Sequence, residues 1–188
     1  MIKELYYVTG NRGKFEMVKN FLASHTELSV KNIDLDLLEE QTLDLKQIAI
    51  SKAEQAWSKV GKPLIVDDSG IFFKRYNQFP GVMTKFIFKS LGMEGLFRLY
   101  DEGDSATFVT YLCFKMDDEK TRVFEGSVKG TLIKPTTTQI DMNLPYTHIL
   151  VPNGTTQTLH ELTQGAGYSE YNPRIIALQK LVEFLRHK

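Results

Sequence analysis

Cysteine is nearly missing from this chain. Cys113 stands alone among 188 residues, so no intramolecular disulfide can form. That excludes the stapled scaffolds of small secreted domains and fits a reducing compartment. An excess of one charge is missing too. Lys+Arg and Asp+Glu number 23 each, and a net charge of zero gives no global pull toward DNA or RNA. Any anion site must therefore be local. No apolar run is long enough to cross a membrane, and the opening MIKELYYVTG lacks the apolar stretch of a signal peptide. The chain reads as cytoplasmic. It shows no repeat, low-complexity tract or obvious linker, and 188 residues suffice for a single domain, 1–188, with a sizeable core.

What is present is an ordinary globular composition, 42% apolar and 24% charged, with clear periodicities. Residues 3–9 read as a strand rich in Tyr and Val. Phe15, Val18, Phe21 and Leu22 recur at helical spacing. ELSVKNID alternates and predicts a second strand. Leu45, Ile48, Ala49, Ala53, Ala56 and Trp57 mark a helix over 44–59, opened by Asp44 and ended by Gly61-Lys62-Pro63. PLIVDDSG predicts a short buried strand that ends in acids. Residues 84–100 look helical, with a break near Gly92. ATFVTYLCFKM and RVFEGSVKGTLI predict two long strands joined by a polar turn, and PYTHILVP one more. Pro173 opens a last helix striped by Ile175, Leu178, Leu181 and Leu185. Helices and strands alternate early and strands cluster later, which suggests an α/β fold with a mixed sheet and helices packed on it.

Three constellations could carry chemistry. In VTGNRGKFE a strand hands over to a helix through a basic turn. Free backbone N–H groups and the positive end of a helix dipole suit a phosphate there, and Asn11, Arg12 and Lys14 add donors and charge. The spacing is neither a Walker A loop nor G-x-G-x-x-G, and a plain basic surface turn would read the same way. Lys52 is the second. It falls on the apolar stripe of the 44–59 helix, where an ammonium is costly unless it meets an anion or reaches water. Either a snorkelling stem or a cleft-facing lysine would account for it. Asp67-Asp68-Ser69-Gly70 is the third. Adjacent strand residues point to opposite sides, so only one acid need face a given site. Such an acid can bind Mg²⁺ or orient a water, and an Asx-type turn is the alternative. Glu39-Glu40 alone reads as a solvated face. The four histidines have no ligand spacing, Ser69 lacks a G-x-S-x-G elbow, and Cys113 sits in an alternating stretch typical of core.

Taken together, the segments TGNRGK, VDDSG, FPGVMTKFIFKSLGMEGL, FEGSVKGTLIKP and RIIAL resemble, in order, the motifs of the inosine triphosphate pyrophosphatase (ITPase) family of non-canonical purine NTP pyrophosphatases. The resemblance implies an elongated mixed β-sheet with packed helices, in two lobes with a cleft between them, and a homodimer. It implies a nucleoside triphosphate as substrate, cleaved to the monophosphate and pyrophosphate with Mg²⁺. Thr9, Asn11 and Lys14 would cradle the phosphates, with Lys52, Ser69 and Lys85 in the substrate site. Asp68 would be the catalytic carboxylate and a metal ligand together with Glu40, whose spacing to Lys52 favours it over Glu39. Tyr146 and Arg174 would serve the base.

The phosphate half of the family pattern is intact, and the base-reading half is rebuilt. NLPYTH, residues 143–148, stands where the family has G-[FW]-G-[YW]-D-P, so Thr147 replaces an acid. YNPR puts Asn172 and Pro173 in place of Ser and His. No lysine lies in QGAGYSEY. Two other readings stay open on these grounds, a nucleotide-binding protein without turnover and a hydrolase of another phosphoanhydride.

Overall fold

The computed structural model describes residues 2–77, 79–135, 139–142, 144–162 and 168–187. Among them, six strands form one mixed sheet in the order β2-β1-β3-β4-β5-β6. The strands are β1 (Glu4–Val8), β2 (Ser29–Ile33), β3 (Leu64–Phe73), β4 (Ser105–Lys115), β5 (Arg122–Leu132) and β6 (Leu150–Pro152). β1 pairs in parallel with β2 and with β3, whereas β5 and β6 are antiparallel. The helices are α1 (Arg12–His25), α2 (Leu45–Val60), α3 (Thr84–Leu96), α4 (Leu159–Leu162), α5 (Tyr168–Tyr171) and α6 (Pro173–Arg186). No helix among the described residues is long and apolar enough to cross a membrane.

Cap chemistry sets the helix limits. Asn11 caps α1 by accepting the Lys14 amide at 3.0 Å, and Asp44 caps α2 by accepting the Lys46 and Gln47 amides. α2 stops where Gly61 turns into the left-handed region, φ 58°. The break expected near Gly92 is present inside α3, where that residue has φ 61°. Two expectations are corrected. PYTHILVP is not a single strand, because Pro145–His148 forms a 3-10 turn before the three-residue β6. β3 does not end at its acids either. It is ten residues long, with Asp67 and Asp68 in the middle.

Contacts divide the chain into two compact units, Met1–Asp68 with Thr110–Gly126 and Arg174–Lys188, and Ser69–Val109 with Ser127–Pro173. The first has two cores, and strand alternation separates them. Leu5, Tyr7 and Ile65 pack with Val18 and Leu22 of α1 and Leu178 and Leu181 of α6. Val8, Leu64 and Val66 pack with Ala49, Ala53 and Ala56 of α2. Odd and even positions of β3 thus point to different helices. The second unit has its own core around Ile71, Phe73, Phe88, Leu96, Tyr100 and Ile149.

Gly130 marks a close approach between β5 and β6. A Cβ there would come within 2.3 Å of the Val151 carbonyl oxygen, backbone that cannot step aside as a flexible side chain can. Gly130→Ala should therefore destabilise the protein by about 1–3 kcal/mol. Urea unfolding checks this, with a lower midpoint expected at unchanged slope.

Candidate functional site

The site is built around the middle of β3. Tyr6 lies opposite Leu64 and Tyr7 opposite Ile65, and the parallel register carried on two residues sets Asp67 level with Thr9. The two acids therefore stand where β1 has ended and the turn into α1 begins. Asp67 shares its face with Ile65, toward α1 and α6, and Asp68 shares its face with Val66, toward α2.

Asp67 is buried and collects donors from three separate segments. Tyr7 donates its hydroxyl to Oδ1. Lys14 Nζ donates to Oδ2 at 3.2 Å, and Arg174 donates to the same oxygen from Nε at 3.1 Å and from Nη2 at 2.9 Å. Burial by itself would raise the carboxyl pKa. The Arg174 and Lys14 charges, with the Tyr7 and Arg174 hydrogen bonds, outweigh it and hold Asp67 well below the ordinary carboxylate range. Burial lowers the pKa of Lys14, against the pull of Asp67, and raises that of Tyr7 well above its usual value.

Asp68 meets a different cation. Lys52 Nζ donates to Asp68 Oδ2 at 2.7 Å and to Glu39 Oε1 at 2.7 Å. Burial opposes the Lys52 charge, but Asp68 first and Glu39 next overcome it, and the lysine pKa is raised. The misfit of Lys52 on an apolar stripe has this physical account: its ammonium ties α2 to β3 and to the loop before α2. Glu39 rather than its neighbour Glu40 holds that ammonium. Glu40 is exposed, and its carbonyl accepts the Thr42 amide.

The strand-to-helix turn is ordered by its own side chains. The Asn11 amide donates to Thr9 Oγ1 at 3.1 Å, while Asn11 Oδ1 serves as the α1 cap. A Cβ at Gly10 would lie 2.9 Å from Asp34 Oδ1, so a side chain there would require the exposed Asp34 carboxylate to shift. Thr9, Asn11, Lys14, Lys52 and Asp68 thus belong to one unit, together with Arg174.

Ser69, Lys85 and Tyr146 belong to the other unit. There the Ile71 amide donates to Thr84 Oγ1 at 3.0 Å, and Tyr146 donates its hydroxyl to the Thr84 carbonyl at 2.8 Å. Both bonds fix the start of α3, where Lys85 is exposed. The Tyr146 ring is buried against Phe88, at 6.2 Å between centroids. Thr147 turns its hydroxyl to the Leu144 carbonyl at 2.6 Å, and Asn172 is buried. Asn143 and residues 164–167 lie outside the described residues. Cys113 is core, as its alternating context predicts, with its thiol pushed up to about 12 by burial and then by Asp67 and Asp68.

Sequence reasoning named Asp67 and Glu39 beside their neighbours without giving them partners, and did not single out Tyr7. The signal for Tyr7 and Asp67 was parity. In LYYV and LIVDD, Tyr7 and Asp67 fall on the same face as Leu5 and Ile65, and a buried acid on that face needs cations from the helices that cover it.

Residues 5–184 match the sequence profile of the Ham1 family. The chain belongs to the Ham1 family. A dITP/XTP pyrophosphatase of Korarchaeum cryptofilum is 29% identical over 183 residues, covering 96% of this chain and 95% of the relative. An inosine triphosphate pyrophosphatase of Yarrowia lipolytica is 30% identical over 185 residues, covering 97% and 95%. The fold matches that of a HAM1 protein from Coxiella burnetii with a TM-score of 0.78 at 22% identity, over 100% of both chains. The resemblance to ITPases and the mixed-sheet α/β fold expected from the sequence are both borne out.

The charge cluster around Asp67 has a consequence for stability. A carboxylate whose folded pKa lies below its unfolded value contributes stability above the unfolded pKa, near 3.9, and loses it as pH falls toward the folded pKa. The wild-type urea midpoint should therefore drop as pH falls below about 4. Asp67→Asn should be about 3–5 kcal/mol less stable at pH 7, because two cations lose their partner, and should show a shallower acid dependence. Midpoints measured from pH 2 to 7 check both.

Proposed function

We propose that this protein is a nucleoside triphosphate pyrophosphohydrolase, a hydrolase of acid anhydrides that releases a nucleoside monophosphate and pyrophosphate. The observation that carries the reading is Asp68 in contact with Lys52, beside a second cation, Lys14, at a strand-to-helix turn. A carboxylate of this kind can take a proton from water, and lysines around it suit a polyanion. The names of the relatives in Korarchaeum and Yarrowia support the same reaction class and point to purine triphosphates.

In the proposed reaction Asp68 orients a water and accepts its proton. The water oxygen attacks the α-phosphorus, the bond from that phosphorus to the bridging oxygen breaks, and pyrophosphate leaves. Lys14 holds phosphate oxygens through its ammonium, beside the Thr9 hydroxyl and the Asn11 side-chain amide, since the backbone N–H groups of all three are bonded to Ile33, Thr9 and Asn11. Lys52 offsets charge on the leaving group. Arg174 has a less direct place, since two of its nitrogens already bond Asp67.

The residues fit a divalent cation. Asp68 and Glu39 lie close enough to share one ammonium, and an all-oxygen donor set suits a hard ion. Asp68, with Glu39 or the adjacent Glu40, would hold Mg²⁺. Bound there, Mg²⁺ would offset charge on the phosphates. The reading takes residues 1–188 as a single domain that acts on free nucleotides in the cytoplasm as a homodimer.

Two measurements test the proposal. Pyrophosphate release from at least one triphosphate should require Mg²⁺, and Asp68→Asn should lower kcat by about a hundredfold or more. Wild-type turnover in that variant would remove Asp68 from the reaction. Orthophosphate as sole product would mean another bond is cut, and binding without turnover would favour a nucleotide-binding protein.

Base discrimination should be weak. A site rejects a wrong base strongly by leaving buried polar groups unpaired. Here Thr147 is spent on its own turn, and the Tyr146 hydroxyl on Thr84. The ratio of kcat/KM for ITP over ATP should stay below about a thousandfold, with GTP and XTP between them. A larger ratio would show that other residues read the base.

A further inference from the structure

We propose that Asp67 is a positioning residue for polyphosphate, a buried anchor that presets Lys14 at the start of α1 so that the ammonium meets the ligand already in place. This rests on the reading of Lys14 as a phosphate ligand. The geometry supports it in three ways. Asp67 is itself over-determined, since Tyr7 fixes one oxygen from β1 and Arg174 fixes the other from α6 with two nitrogens. Its contact with Lys14 is the longest of those to Oδ2, 3.2 Å against 3.1 and 2.9 Å.

Charge balance is the second support. One carboxylate faces two cations, so the formal charges of Asp67, Arg174 and Lys14 sum to +1. Exposure is the third. The side chains of Asp67 and Arg174 are 1% and 7% exposed, and that of Lys14 is 22%. Lys14 is thus the most exposed side chain of the three. An ammonium has three donors, so a bond to Asp67 leaves capacity for phosphate oxygens. A free lysine stem loses rotamer freedom when a ligand immobilises it, and anchoring moves that loss from binding to folding.

The opposite role is a competitor that must release Lys14 before phosphate can bind, and the two predict opposite signs. Inorganic tripolyphosphate is the probe, titrated calorimetrically at pH 7 into wild type, Asp67→Asn, Lys14→Met and the double variant. Melting temperatures establish which variants are folded. We expect each single change to weaken binding about tenfold or more, and the double change to be no weaker than the worse single change within about twofold. Non-additivity of this kind means that Asp67 acts through Lys14. A merely structural role would give additive losses.

Additive losses, tighter binding by Asp67→Asn, or no tripolyphosphate binding by wild type would overturn the proposal. Should Asp67→Asn not fold, Tyr7→Phe decides, because it loosens Asp67 while keeping every charge. It should weaken binding about two- to fivefold, and that effect should vanish in the Lys14→Met background. An unchanged affinity, or a loss that persists without Lys14, would overturn the proposal. Turnover of nucleoside triphosphates is scored separately. Wild type that binds tripolyphosphate with the expected coupling but hydrolyses no triphosphate sinks the pyrophosphatase reading and leaves the role of Asp67 standing.

Discussion

An ionised carboxylate buried in a protein must be surrounded by donors, and the first unit is arranged around that requirement at Asp67. Its partners come from β1, α1 and α6, which are distant in sequence. Breaking such a cluster costs far more than losing a surface ion pair, because the remaining charges stay buried. The placement of α1 and α6 against β1 and β3 is therefore fixed by charge as well as by the apolar contacts of Val18, Leu22, Leu178 and Leu181. One strand residue further on, the same strand makes a separate bargain with α2 through Asp68 and Lys52.

Alternation along a strand turns two adjacent identical residues into two unlike groups. Asp67 looks into the face covered by α1 and α6, has three segments bonded to it, and is 1% exposed at its side chain. Asp68 looks toward α2 and keeps 21% of its side chain exposed. Burial and multiple donors make the first a fixed charge, whereas the second retains the access that a proton acceptor or metal ligand needs. Neither residue type nor spacing separates these roles, but the face does.

That division also explains what the sequence could and could not disclose. Helix α2 was legible because Asp44, the spacing of its apolar positions and Gly61 agree with one another. The long strands β4 and β5 were legible from length and β-branched content. The acids were found, yet β3 was cut short after them, because DDSG has turn chemistry that pairing within a sheet overrode. Lys52 was recognised as misplaced from helical period alone. Its contact with Glu39 was not foreseen, because the loop between residues 34 and 43 follows no period that could fix which acid meets the ammonium. Tyr146 was noted as an aromatic, but its burial depends on α3 folding over it, a contact far away in sequence. Arg174 was placed near a helix start and, through the family resemblance, at the base. Nothing local announces that it will meet a carboxylate 107 positions earlier.

The first unit is discontinuous, and Arg174 and α6 belong to its last segment. During synthesis β1, α1 and β3 leave the ribosome well before residue 174 does. For that interval Asp67 can reach Tyr7 and Lys14 but lacks its strongest cation, and the face that α6 will cover stays open. The nascent chain therefore carries an incomplete salt cluster beside uncovered apolar surface until its final helix arrives. Emergence of α6, rather than of the sheet, is the moment at which this half of the protein can close.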